Sequence, residues 1–381
     1  MSPVVHDERN AASARRWDWR ALRDRLLADP RFQRLAAAFP PTRRIARRES
    51  RALFDLCAGF VYSQVLLACV ELRLFDVLRD GMIAPDALAA RLGLEPAAAR
   101  RLLEAAAALR LVEGDAAAGW RLGPLGAVLS GSPGIAAMVE HHRLLYEDLR
   151  DPVALLRGGG APTRLAQFWS YARADAPAEV DPAGVAAYSA LMSESQSLVA
   201  DDVLDAYPVR RHRRLLDVGG GEGAFLAAVA HREPGLRLTL FDLPPVTARA
   251  RQRLEGAGLA GRIAIHSGDF LADPLPQGAD LISLVRVVHD HDDSDAVRLL
   301  RAVRAALPPD GALLIAEPMS GQAGTEPMAD AYFGFYLMAM GQGRPRTPEA
   351  VIELARAAGF REARLLRTAR PLLASVVVAR P

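Results

Sequence analysis

The stretch LLDVGGGEGAF, residues 215–225, places four glycines within five positions directly after a short apolar run. Glycine lets a backbone turn through positive φ and lets a ligand come close to the main chain. A strand, a glycine turn and then a helix form the entry to a nucleotide-type site in an open α/β sheet. Gly219-x-Gly221-x-x-Ala224 also satisfies the dinucleotide spacing. Asp217 argues against a dinucleotide, because a pyrophosphate seated on that turn would face its carboxylate.

From residue 211 onward the pattern alternates between strand-like and helix-like segments. Candidate strands are 213–218, 236–241, 262–266, 279–285 and 311–316, then a closing pair at 362–368 and 373–379. The alternation predicts an α/β fold with a Rossmann-like, doubly wound and mostly parallel sheet. The short link within the closing pair predicts an antiparallel last strand. Three successive strands then end on acids: Asp217, Asp242 in FDLPP and Asp269 in GDF, with Glu222 inside the turn. A carboxylate after the second strand suits ribose hydroxyls, and one after the third suits an adenine amino group. S-adenosylmethionine has no phosphate and carries a sulfonium and an ammonium, so it fits this acidic rim where NAD does not.

A second motif, LVRVVHDHDDSD at 284–295, follows the fourth strand. Open α/β sheets bind ligands at strand C-terminal ends, so His289 points to the reacting region. A neutral imidazole there can take a proton from an acceptor hydroxyl. Glu317, ending the fifth strand in LLIAEP, is expected to bond that imidazole and orient it. His289, His291, Asp292 and Asp293 lack recognised metal-ligand spacing, so no metal is expected. Asp292 and Asp293 are expected to cap the helix starting near Ser294, and His291 is left unassigned.

Composition narrows the chemistry further. The chain of 381 residues has 47 basic residues, all arginine. The absence of lysine excludes Schiff-base and pyridoxal phosphate chemistry and the phosphate-loop lysine. A net charge of +2 gives no general case for nucleic acid. The two cysteines, Cys57 and Cys69, would lie about 18 Å apart along one helix, so no bridge within it is expected and a reducing cytoplasm is the natural setting. No secretory leader is visible. The apolar stretch 56–70 falls short of the ~20 residues of a membrane span and reads as an interface helix.

Three regions are expected: a basic arm at 1–50, a helical and winged-helix dimerisation domain at 51–205, and a catalytic domain at 206–381. Residues 1–51 hold 13 arginines against six acids. With Trp17, Trp19, Leu22, Leu26 and Leu27, the arm suits either the surface of an anionic membrane or a partner subunit. A helix is expected over 50–72. Residues 84–126 read as helix, turn at Gly93, second helix and two short strands. Residues 76–115 carry five arginines against seven acids, so this winged helix lacks the basic face of a DNA reader and reads as a dimerisation module. Residues 135–210 look helical, with a loose stretch at 157–162.

The motifs DVGGGEGAF, FDLP, GDF, HDHDD and AEP resemble those of the small-molecule O-methyltransferases that include plant caffeic acid and flavonoid enzymes, over about residues 50–381. The resemblance implies cofactor contacts at Gly219, Asp242, Asp269 and Phe270, and a catalytic His289 supported by Glu317. Asp217, Gly221, Leu243 and Arg286 complete the expected cofactor site. Two positions depart from the plant pattern: Val285 stands where those enzymes have a lysine, and Pro345 in RPRT where they have a second catalytic glutamate. Within the family, the stretches at 31–76, 146–157 and 188–202 look like the carotenoid hydroxyl O-methyltransferases of purple photosynthetic bacteria. That likeness implies an apolar carotenoid acceptor and a homodimer, in the cytoplasm or at the inner membrane surface. A bacteriochlorophyllide C-20 methyltransferase and a non-catalytic scaffold are the alternatives. The stretch MADAYFGFYLMAMG, 328–341, reads as core or as the wall of an apolar tunnel.

Overall fold

In the computed structural model, which describes residues 18–158, 162–168, 196 and 199–381, aspartates and prolines set the first helices. The Asp18 carboxylate accepts from the N–H groups of Arg20 and Ala21 and opens the helix Trp19–Ala28. Asp29 does the same for Arg31, with Pro30 at the first position of Pro30–Ala38. Pro40 opens a 32-residue helix, Pro40–Glu71. That helix starts ten residues earlier than the expected 50, because no glycine or proline interrupts 42–58 and each added residue brings one more hydrogen bond. Trp17 lies outside the described residues.

The chain divides into two compact units, Met1–Ala68 and Cys69–Pro381. In the first, Leu53, Phe54, Leu56 and Phe60 stand out from the long helix, Leu56 with 81% and Phe60 with 73% of its surface exposed. Large apolar side chains grouped like this normally meet another surface.

The second unit opens with the winged helix-turn-helix. The helix Pro85–Leu92 ends on Gly93, whose φ of 65° is the left-handed cap that glycine adopts at little cost. The helix Pro96–Ala108 follows, then strands β1 (Val112–Asp115) and β2 (Gly119–Leu122), paired antiparallel. Leu88, Leu92, Leu103 and Trp120 are buried. Within the expected helical stretch 135–210, the helices Pro133–Asp148, Pro152–Leu156 and Arg164–Phe168 are seen. Much of the remainder, including part of the loose stretch, lies outside the described residues.

Seven strands then build the main sheet: β3 (Arg214–Val218), β4 (Arg237–Asp242), β5 (Ile263–Ser267), β6 (Leu281–Val285), β7 (Ala312–Glu317), β8 (Glu362–Leu366) and β9 (Ser375–Arg380). Their spatial order is β5-β4-β3-β6-β7-β9-β8. β3 to β7 are parallel neighbours, and β9 runs antiparallel between β7 and β8. Leu215 faces one core and Leu216 and Val218 the other, so the strand is buried on both faces and reads as a continuous apolar run. The order reverses between β4 and β6 on either side of β3. Ligands of open α/β sheets bind at that switch point, and Asp217 and the glycine turn sit there.

Replacing Phe60 with Asp should leave the helix and the thermal transition nearly unchanged, since the site is exposed, yet disrupt self-association. Light scattering on the variant and the unaltered protein checks this: equal masses would show that this face covers nothing.

Candidate active site

The glycine turn requires its glycines. Gly219, Gly221 and Gly223 adopt φ values of 68°, 60° and 80°, which L-residues rarely hold. A Cβ on Gly219 would come within 2.9 Å of Val287, and one on Gly220 within 2.5 Å of Asp217 Oδ2. Asp217 is fully buried; its Oδ1 accepts a 2.5 Å hydrogen bond from Ser283, while Oδ2 has no partner among the described residues. Burial pushes this carboxyl up to about 7; the Ser283 bond opposes the shift and Asp242 adds to it. Asp242, pushed up by burial to about 6, accepts from the N–H groups of Gly221 (2.8 Å) and Leu243 (2.7 Å). It thereby ties the end of β4 to the turn after β3.

The remaining acids divide. Asp269 lies two residues beyond β5, and its Oδ1 accepts from the Leu271 N–H. This loop brings Phe270 within 3.8 Å of the position a Gly219 Cβ would take. Glu222 instead pairs with Arg249 at 2.8 Å on the helix Pro244–Gly256, a structural role. Arg286 has a left-handed φ of 60° and donates its N–H to the Ala316 carbonyl (2.7 Å), strain of the kind that collects at functional turns.

The turn Val288–Asp290, which carries His289, departs from expectation at two points. Glu317 Oε2 accepts from the His289 backbone N–H at 3.0 Å, not from its ring, and Oε1 is buried without a partner among the described residues. Glu317 therefore fixes the main chain of the turn. The ring is held by Asp290, whose Oδ1 lies 3.0 Å from Nε2. A carboxylate only accepts, so Nε2 carries the proton and the basic lone pair of the neutral imidazole falls on Nδ1. Burial pulls His289 down, but the bonded Asp290 and the Glu317 charge outweigh it and leave the group above its ordinary 6.5. His291 packs edge-on against Phe270, 5.3 Å between ring centres, and burial lowers its pKa.

Asp292 and Asp293 make no side-chain cap at the helix Asp293–Ala306. Asp292 accepts from the Gly343 N–H, and Asp293 pairs with Arg344 and Arg346. A neighbouring loop competes for both carboxylates, which is why the expected caps do not form. Sequence reasoning missed Arg346. Its guanidinium is wholly buried and donates to the carbonyls of Val288 (2.8 Å) and His291 (2.6 Å) and to Asp293 (2.7 Å). The Arg344 N–H donates to the His289 carbonyl, so the loop braces both sides of His289. An arginine in a loop carries no sequence signal of burial. Among the described residues, no group of three or more His, Cys, Asp or Glu could hold a metal ion.

Aromatic rings close the site beside His289. The Phe333 ring centre lies 5.9 Å from that of His289, and Tyr332 meets Phe333 edge-on at 5.0 Å. A π-helical turn, Pro327–Tyr332, precedes the helix Phe333–Met340, a deviation frequent at functional sites. Two hydrogen bonds tie this segment to Pro133–Asp148: His142 to the Tyr332 hydroxyl (2.7 Å) and His141 to that of Tyr336 (2.8 Å). Burial pulls His141 down to about 4, lowers His142 as well and pushes the Tyr332 phenol well up, so neutral imidazoles meet these hydroxyls at neutral pH. The stretch 328–341 thus supplies both core, through Leu337, Ala339 and Met340, and the wall beside His289.

Asp217 carries a stability consequence. Its folded pKa stands above the unfolded value of about 3.9, so the neutral acid is favoured on folding. That contribution is complete below the unfolded pKa and is lost as pH rises through about 7. Asp217→Asn keeps an acceptor for Ser283 and removes the charge. The variant should melt several degrees higher than the unaltered protein at pH 8, with the difference vanishing near pH 4. Calorimetry across that range tests it, and a lower melting point at pH 8 would refute it.

Comparison with known proteins agrees with this geometry. Residues 146–361 match the O-methyltransferase domain model, and residues 54–132 match the O-methyltransferase dimerisation domain. Demethylspheroidene O-methyltransferase of Cereibacter sphaeroides is 48% identical over 355 residues, covering 93% of each chain. The enzyme of that name from Rhodobacter capsulatus is 45% identical over 356 residues, 93% of this chain and 88% of its own. Human N-acetylserotonin methyltransferase, solved in complex with SAM, shares the fold with a TM-score of 0.73 at 26% identity, over 87% of this chain and 97% of its own. With a glycine turn rimmed by acids, a histidine at the switch-point edge and matching models for both regions, the chain belongs to the O-methyltransferase family.

Proposed function

We propose that the protein transfers a methyl group from S-adenosylmethionine to the C-1 hydroxyl of acyclic carotenoids such as demethylspheroidene, acting as a homodimer. The observation that carries this reading is the 48% identity to a demethylspheroidene O-methyltransferase over 93% of both chains. The dimer reading rests on the dimerisation-domain match and on the exposed apolar face of the long helix. The residues present fit the methyl donor. Asp217 Oδ2 is a buried oxygen without a partner, Asp242 and Asp269 add acceptors at the next two strand ends, and the turn offers positive-φ glycines in place of side chains.

When bound, S-adenosylmethionine supplies a methyl group on a sulfonium that departs as a neutral thioether. The chain's own contribution is to the acceptor. His289 takes the hydroxyl proton as the oxygen attacks, which a tertiary alcohol needs because its oxygen is a poor nucleophile while protonated. Asp290 sets the tautomer and stabilises the imidazolium that forms. Glu317 and Arg346 hold the turn, and Phe333 and Tyr332 keep water from the base. A scaffold without activity would not need His289, Asp290 and the cofactor acids together.

His289→Ala should slow transfer by on the order of 10²–10⁴-fold while cofactor affinity stays within a few-fold. Activity in the unaltered enzyme should fall as pH drops through a value above 6.5, as His289 protonates. Asp290→Asn removes the charge that raises that value, so the acid limb should move to lower pH. A limb that stays put or moves upward would exclude the pairing.

The acceptor is tested by incubating purified enzyme and S-adenosylmethionine with demethylspheroidene, hydroxyneurosporene and bacteriochlorophyllide, with mass spectrometry of each pigment. One added methyl on the carotenoids is expected. A methyl on bacteriochlorophyllide alone would overturn the assignment.

A further inference from the structure

We infer that the helical arm of residues 18–51 is a docking surface for an anionic membrane. This inference stands independently of the acceptor. Residues 18–51 hold ten arginines against four acids, a net of +6 in a chain whose whole charge is +2. Among the described residues, no carboxylate lies within 4 Å of Arg20, Arg25, Arg31, Arg34, Arg43, Arg44 or Arg47, whereas Arg48 and Arg51 have acidic neighbours. Arg43, Arg47 and Arg51 fall at i, i+4 and i+8, and Arg44 and Arg48 lie beside them. At 100° per residue these five share one face of the long helix.

Apolar side chains stand among these charges. Trp19, Leu22 and Leu26 fall at i, i+3 and i+7 of the first helix, so they share a face, and Trp19 is 67% exposed. Leu35, Phe39 and Ile45 are also exposed. Tryptophan and leucine among arginines are the composition of an interfacial helix, whose apolar groups enter the headgroup boundary while guanidiniums meet lipid phosphates. A solvated arm explains the arginines but not the exposed tryptophan and leucines. A subunit contact explains those apolar groups but not an excess of unpaired like charge, which a second identical arm would repel. The segment matching the dimerisation model begins only at residue 54, beyond the arm.

The test is flotation of the full-length protein with phosphatidylcholine vesicles, with and without phosphatidylglycerol, at low and high salt. Binding is expected only to vesicles containing phosphatidylglycerol, and it should weaken with salt. Replacing Arg43, Arg44, Arg47 and Arg48 with Gln should reduce partitioning roughly 100-fold or more. Trp19→Ser with Leu22→Ser should reduce it without changing net charge. Both variants should keep the particle mass, the helix content and the activity on detergent-dispersed acceptor. Failure of the unaltered protein to float with anionic vesicles would overturn the inference. So would equal binding to neutral vesicles, or variants that bind undiminished. Loss of the dimer in the arginine variant would overturn it too, by marking the arm as a subunit contact.

Discussion

A buried carboxylate without a full set of partners among the described residues sits at the end of the sheet's middle strand. Asp217 ends the middle strand of the sheet, wholly buried, with one oxygen bonded to Ser283 and the other to nothing. An acid left in that state is costly, and much of the local structure follows from accommodating it. Gly220 must lack a side chain because its Cβ would meet the carboxylate. Ser283 must come from β6, the strand on the far side of the topological switch. Asp242, from the strand on the near side, holds the turn above by accepting from the Gly221 N–H, and accepts from its own neighbour Leu243 with the other oxygen. A buried acid that resists ionising is poorly suited to stability at high pH and well suited to a cationic ligand, which would supply the charge that stabilises its ionised form.

The second half of the site is built around a backbone turn, not a side-chain triad. Glu317 holds the amide of His289, Arg346 holds the carbonyls of Val288 and His291, and Arg344 holds the carbonyl of His289 itself. The main chain is thus fixed on both sides, and among the described residues Asp290 is the polar partner of the imidazole. The two halves meet where Val287 approaches Gly219 and Phe270 packs on His291. A shift in either turn would be felt by the other across a few ångströms of packed carbon.

The strands, their parallel order and the antiparallel last strand were legible because each carries a period or a terminator: apolar runs, glycine turns, acids at strand ends. The winged helix was legible for the same reason, through Gly93 and the prolines that start its helices. What was not legible depends on contacts distant in sequence. Asp292 and Asp293 precede a helix as caps do, yet they bond to residues some fifty positions later. Glu317 stands at the right strand end, but which His289 atom it meets depends on how the turn folds back over it. Arg346 gave no local sign that it would be buried.

Those distant contacts also bear on Pro345, one of the two positions where the chain departs from the plant pattern it resembles. The resemblance places a second glutamate at residue 345, and proline occupies it here. Proline lacks an N–H and fixes φ, so it stiffens the segment between Arg344 and Arg346, the two residues that grip the turn carrying His289. A carboxylate stands instead next to His289, since Asp290 reaches the imidazole from within the turn. An acid borne on the same short turn as His289 moves with it, so the pairing does not depend on two loops keeping register. The loop at 343–346 is then left to brace the backbone, and the two tasks, orienting the ring and fixing the main chain, fall to different residues.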